Sequence, residues 1–249
     1  MARAALPGRL TWQLADVVET IDETPRVRTI VLAAPAWAGH RAGQHVDVRL
    51  TAEDGYQVER SYSIASPPED EALALTVERL DDGEVSPYLV DELRPGDQIE
   101  LRGPIGGYFA WDAAEGGPLL LVGGGSGIVP LRAILRHRVA SGSDVEVRLL
   151  ASWRSAAEII YASELDELAR RPGVGVVHTL TRRADPAWAG RRGRIDIGLL
   201  AAVSWPAEQS PLCFVCGPTG LVEAVANALV ELGHDPGRVK TERFGPTGS

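Results

Sequence analysis

The hydrophobic pattern changes character near Gly116-Gly117-Pro118, and this change limits the possible folds more than any other feature of the chain. Before it, short β-like runs are broken by Gly, Pro and Asp. After it, apolar runs of roughly five residues alternate with helical stretches. The 249 residues therefore divide into two units, 1–112 and 113–249, each long enough to bury its own core.

In the first unit the β-like runs cover 12–20, 27–33, 45–50, 58–64, 73–80 and 98–101. Six such runs in about a hundred residues predict a small antiparallel barrel. A helix is expected after Gly83-Glu84-Val85-Ser86-Pro87, with Ser86 as cap and Pro87 in the first position, running to Leu93. Its N-terminus suits a phosphate. The run at 58–64 carries Arg60-Ser61-Tyr62-Ser63, too polar a set for a strand that only fills a core. Arg60 and Tyr62 share one side by strand alternation, so an anion with an attached ring would satisfy both.

In the second unit apolar runs end at Val122, Ala151, Leu180 and Cys216, with helices expected at 129–139, 156–170 and 221–232 and a last strand at 239–244. This order predicts a doubly wound parallel sheet, which binds ligands outside the carboxyl ends of its strands. Gly123 to Pro130 forms a glycine loop that opens a helix, and Gly124, Gly125, Ser126 and Gly127 let backbone approach a pyrophosphate. Its spacing differs from the common dinucleotide fingerprint. Ser152 and Arg154 follow the second run, and Thr181 and Arg182 follow the third with Arg191 close behind. Hydroxyl and guanidinium groups at adjacent strand ends suit a 2′-phosphate, favouring NADPH over NADH. Cys216-Gly217-Pro218 closes the fourth run. Cys213 and Cys216 point to opposite faces of their strand, which excludes a shared metal or disulfide. The five histidines are scattered, so no metal site is predicted.

Taken in order, Arg60-Ser61-Tyr62-Ser63, Gly83-x-Val85-Ser86, Gly103-Pro104, Gly123 to Pro130, Cys216-Gly217-Pro218 and Glu242-x-Phe244 resemble the ferredoxin–NADP reductase superfamily. The resemblance spans nearly the whole chain. It implies a FAD-binding antiparallel barrel followed by an α/β pyridine-nucleotide domain, with flavin and nicotinamide meeting between them. It assigns Arg60 and Ser86 to the FAD pyrophosphate, Tyr62 to one flavin face and Phe244 to the other. Ser63 and Glu242 would stand near flavin N5 and Cys216 near nicotinamide C4. Ser61, Val77, Gly83, Val85, Gly124, Ser152, Arg154, Arg191, Gly217 and Pro218 complete the implied cofactor contacts. One difficulty is internal to this assignment: strict alternation puts Ser63 on the face opposite Arg60 and Tyr62. Its role requires the strand to twist or end before Pro67.

The implied activity passes a hydride from NADPH to FAD and then single electrons to a separate acceptor such as ferredoxin or flavodoxin. Alternatives are an electron-transfer component for an oxygenase or a molybdenum enzyme, an NAD(P)H:flavin reductase, or, from another class, a non-catalytic nucleotide-binding scaffold. With 25 basic and 34 acidic residues the chain carries a net charge of -9, which argues against nucleic acid or an anionic membrane as partner. The arginines at 132–138 or 182–194 are expected to supply a local basic rim for an acidic redox protein. Residues 1–12 hold no signal-like apolar run and no later segment reaches spanning length, so a cytoplasmic protein is expected. The tail Gly245 to Ser249, as in some bacterial relatives, is expected to contact FAD or to slow displacement of Phe244.

Overall fold

Alternation of apolar and polar residues builds the first sheet. In the computed structural model, which describes residues 10–183, 186 and 188–245, it comprises β1 (Gln13–Thr24), β2 (Val27–Ala33), β3 (His45–Thr51), β4 (Gln57–Ser63), β5 (Leu73–Glu78) and β6 (Gln98–Ile105). The tail from Pro246 to Ser249, and the contacts expected of it, lie outside the described residues. The strands pair antiparallel in the order β4-β3-β6-β1-β2-β5. The two edges are tied just past the end of β4 by an Ile64–Leu75 bridge, a 2.7 Å bond from Ala65 N–H to the Ala74 carbonyl and a 3.0 Å bond from Ala74 N–H to Ser66 Oγ. A seam is thus left beside β4. Ile30, Leu32, Val46, Val48, Leu75 and Leu101 fill the interior.

The helix expected after Pro87 is present but short and wide: residues 86–92 are helical, with a 3.1 Å bond from Leu89 N–H to the Val85 carbonyl, and Tyr88–Glu92 form a π-helical turn closed by a 3.0 Å bond from Leu93 N–H to the Tyr88 carbonyl. Ser86 does not cap it; its hydroxyl accepts from Leu80 N–H at 3.0 Å. Two constraints shorten the segment. Val85, Leu89, Val90 and Leu93 all enter the barrel core, and Pro95 disfavours helical geometry at Arg94.

The second unit contains β7 (Leu119–Gly124), α1 (Ile128–Ala140), β8 (Val147–Ser155), α2 (Ala162–Leu168), β9 (Val174–Arg183), β10 (Arg191–Arg192), α3 (Ile197–Val203), β11 (Leu212–Pro218), α4 (Thr219–Glu231) and β12 (Val239–Phe244). Its sheet is parallel, in the order β10-β9-β8-β7-β11-β12. Both faces are covered, which explains the continuous apolar runs. Leu119, Leu121, Leu149 and Phe214 pack with α1 and α2, while Leu120, Val122, Leu150 and Val215 pack with α3 and α4.

The helix expected over 156–170 is broken. A single turn at Ala156–Glu158 precedes α2, and between them Tyr161 adopts φ 59°. Left-handed backbone costs a non-glycine residue about 1–2 kcal/mol. Burial of the Tyr161 ring, 4 % exposed with the Arg132 guanidinium 4.3 Å over it, offsets that cost. Its hydroxyl donates to Thr76 of β5, so the unusual backbone delivers a tyrosine from one unit to the other. Strand β10 and helix α3 are additions that periodicity did not predict.

The basic rim expected at 132–138 is not there. Arg132 Nη2 pairs with Glu164 at 2.5 Å and its Nη1 donates to the Ala65 carbonyl at 3.0 Å. Arg136 reaches Asp70 at 2.9 Å, and Arg138 is buried, donating to the Val145 carbonyl. With His137 Nδ1 2.6 Å from Glu69, it is Arg132, Arg136 and His137 that fasten α1 to the barrel's 65–70 loop.

Removal of the Tyr161 hydroxyl tests this fastening. Thr76 keeps its 2.7 Å contact with Thr29, so Tyr161→Phe is expected to lose about 1–2 kcal/mol of stability. A lower urea midpoint at unchanged m would show it; an unmoved midpoint would mean the hydroxyl fastens nothing.

Candidate active site between the two sheets

Strand register decides which residues of β4 face the seam. Arg60 lies opposite Val48 and Tyr62 opposite Val46, both interior residues of β3. Ser61 lies opposite Asp47 on the outer face, and its hydroxyl donates to the Asp47 carboxylate at 2.7 Å. Asp47 also receives Arg102 at 2.7 Å. Ser61 is thus placed away from its expected cofactor contact. Val77 and Val85 are 0 % and 1 % exposed inside the barrel core, which leaves only their backbone for a ligand.

Ser63 shares the parity of Ser61, but β4 ends there. Its hydroxyl donates across the seam to Glu242 Oε1 at 3.1 Å. The alternation difficulty is resolved by the strand end. Arg60 is exposed, with Nη2 2.6 Å from Glu84, and Glu84 also accepts from the Tyr56 hydroxyl at 3.1 Å. The Tyr62 ring is half-buried against the barrel core, and burial pushes its phenol up to about 12. It presents a neutral aromatic surface. Gly83 is required by its turn: a Cβ there would stand 2.8 Å from Ser86 Oγ and 3.2 Å from the Leu80 carbonyl.

The other wall of the seam comes from β11 and β12. Parallel register sets Cys216 beside Glu242 and Pro218 beside Phe244, with Gly123 on the far side of Cys216. Cys213 packs on one face of the sheet and Cys216 on the other, as strand parity dictates. Burial first, then the Glu242 carboxyl, holds the Cys216 thiol well above its ordinary value. Such a thiol is neutral and not a nucleophile. Glu242 is itself raised by burial, opposed by its hydrogen bond from Ser63. Phe244 is half-buried and packs against the same core as Cys216.

The glycine loop closes the floor. Gly125 has φ 55°, open to glycine at no steric cost. A Cβ on Gly127 would lie 2.2 Å from the Cys216 carbonyl, so the loop touches β11 only because Gly127 has none. Gly124 and Gly217 are buried here and Pro218 is exposed at the end of β11. Ser126 donates to Glu78 Oε2, from the barrel, at 2.8 Å.

Ser152 is buried in the last part of β8, and Arg154, two residues further along the same strand, is exposed. Thr181 is half-buried, and its hydroxyl donates to the Trp153 carbonyl at 3.0 Å. Arg182 and Arg191 are exposed, and Arg191 pairs with Thr179 of β9. Glu78, Glu84 and Tyr161 take part in the seam or its fastening without having been singled out in the sequence. Two are carboxylates in runs that look like solvated surface, and only tertiary placement gives them partners.

Residues 15–110 match the oxidoreductase FAD-binding domain and residues 121–227 the oxidoreductase NAD-binding domain. The chain is 34 % identical over 246 residues to a glycine betaine monooxygenase reductase subunit of Pseudomonas aeruginosa, covering 95 % of this chain and 66 % of that protein. It is 35 % identical over 211 residues to ferredoxin–NADP reductase B of Sorangium cellulosum, covering 82 % and 84 %. The flavohem-like FAD/NAD-binding domain of nitric oxide dioxygenase from Vibrio cholerae superposes with TM-score 0.84 at 28 % identity, over 94 % of this chain and 99 % of that one. The chain thus spans just under two thirds of the length of the first of these relatives.

The raised Glu242 carboxyl has a stability consequence of definite sign. A group raised on folding stabilises fully below its ordinary value, here 4.5, and loses that contribution as pH rises through the raised one. Glu242→Gln keeps the acceptor and removes the ionisation. Its stability relative to the parent should therefore grow as pH rises from about 4.5 through the raised value in urea titrations. A pH-independent difference would refute the shift.

Proposed function

We infer the function of this chain from the family to which it belongs, the ferredoxin–NADP reductase superfamily, and from the seam its two sheets enclose. It is an NAD(P)H-dependent FAD flavoprotein reductase that hands electrons to a separate redox partner. The barrel, 1–112, takes FAD and the α/β unit, 113–249, the pyridine nucleotide. The observation that carries this reading is the Ser63–Glu242 hydrogen bond, which joins the end of β4 to β12 beside Cys216.

The residues fit both groups. Gly83 shapes a tight turn in which a Cβ would crowd Ser86 and Leu80, and Tyr62 offers a half-buried aromatic surface in the same seam as the exposed Arg60 guanidinium. Gly125 and Gly127 leave a loop at the N-terminus of α1 whose only side chain is the small Ser126. When bound, FAD supplies the chemistry, taking two electrons from a reduced nicotinamide and releasing them singly. Arg60, and backbone around Gly83 and Ser86, would hold its pyrophosphate; Arg60 must then share or leave Glu84. Tyr62 and Phe244 would bound the ring. Ser63 and Glu242 place one donor and one carboxyl at the seam, the proton of Ser63 resting on Glu242 Oε1. Cys216, neutral and 1 % exposed, fixes how closely a ring can approach and keeps water out.

Preference for NADPH rests on Arg154, Arg182 and Arg191, exposed at adjoining strand ends. With Thr181 committed to backbone, guanidinium groups alone would read the 2′-phosphate. The Pseudomonas relative is a monooxygenase reductase subunit, which favours an oxygenase system, reached directly or through a ferredoxin, as destination of the electrons. A non-catalytic scaffold would have no use for a half-buried carboxyl hydrogen-bonded across the seam. Among the described residues no helix is long and apolar enough to cross a membrane, and a cytoplasmic location is proposed.

Anaerobic titration of the purified yellow protein tests this reading. NADPH should bleach the flavin band stoichiometrically at lower concentration than NADH. A colourless protein, or a flavin reduced by neither nucleotide, would refute it. Cys216→Ala should bind both nucleotides as before yet reduce its flavin about 10-fold more slowly in a single turnover.

A further inference from the structure

Glu78, the last residue of β5, belongs to the barrel but its carboxylate meets the glycine loop of the other unit. Oε2 accepts from Ser126 Oγ at 2.8 Å and lies 3.9 Å from the point where a Cβ on Gly125 would sit. The 13-residue α1 that this loop opens has no acidic residue in its first turn, and no side chain caps its N-terminus. A helix end of this kind attracts negative charge. Glu78 brings that charge from the neighbouring unit.

We propose that Glu78 is a positioning residue that acts as a resident counter-anion of the nucleotide loop. Its carboxylate holds Ser126 in the nucleotide-free protein and opposes the phosphates of an arriving pyridine nucleotide. This inference rests on the reading that the loop takes such a nucleotide. The hydroxyl bond and the charge are separable. Gln at position 78 can still accept from Ser126 through its amide oxygen but carries no charge. Ala at position 126 removes the hydroxyl but leaves the carboxylate in place. Because the opposition is electrostatic and partly solvent-exposed, added salt weakens it. The contact also makes the loop a place where the two units are tied only until a ligand competes, which favours release of the oxidised nucleotide.

The test is calorimetric titration of the FAD-loaded protein with NADP+ and, separately, NAD+, at low salt and at high salt. Glu78→Gln is expected to bind the preferred nucleotide about 3- to 10-fold more tightly than the parent at low salt. That gain should shrink at high salt. Ser126→Ala should show no comparable gain. Equal or weaker binding by Glu78→Gln, with parent binding intact, would overturn the proposal while leaving the functional reading untouched. A salt-independent gain would overturn it too, since packing rather than charge would then be responsible. Absence of binding of either nucleotide to the parent would instead sink the reading on which the proposal rests.

Discussion

The structure depends on one alignment: β12 lies parallel to β11 with Glu242 beside Cys216, and Glu242 meets Ser63 at the end of the other sheet's edge strand. A single side-chain hydrogen bond contributes only about 1 kcal/mol net, so this bond does not hold the units together. It reports that they are held. The holding is done around it, by Arg132 on the Ala65 carbonyl, by Arg136 on Asp70 and by Tyr161 on Thr76. Lys240 adds a bond to the Ala110 carbonyl at 3.2 Å from the same strand that carries Glu242. With so many fixed points, the chemistry of the seam can rest on side chains whose own bonds are weak.

Burial gives those side chains their character. Cys216 and Glu242 both lie in an environment that disfavours charge, and the Glu242 carboxyl makes ionisation of the thiol harder still. A neutral thiol and a reluctant carboxyl can pack against an uncharged ring without drawing water in. Arg60, by contrast, is exposed and ion-paired only at the surface, where such pairs contribute little. It can exchange Glu84 for a phosphate without disturbing the fold. The seam thus combines a rigid apolar end with a mobile ionic end, as a ligand with a ring and a pyrophosphate requires.

Period-two and helical patterns made the architecture legible, since each apolar run reports a buried strand however the strands are joined. The opposed faces of Cys213 and Cys216 followed from parity alone. What stayed hidden depends on partners remote in sequence. Arg132 and Arg136 look like a basic rim until Asp70 and Glu164 are placed opposite them. Ser61 looks like part of the Arg60–Ser63 group until β3 sets Asp47 beside it. The break at Tyr161 could not be read from propensity, because burial in another unit overrides it. Ser63 shows the reverse: parity alone sets it on the face of Ser61, yet at the end of its strand it reaches Glu242 of the other unit.

The central claim is that both sheets build one flavin site at this seam. A crystal structure of the FAD-loaded protein tests it most directly. The account predicts electron density for the flavin ring bounded by Tyr62, Ser63 and Phe244, with the pyrophosphate at Arg60 and the Gly83–Ser86 turn. Flavin density elsewhere, or a ring out of reach of both Ser63 and Glu242, would contradict it.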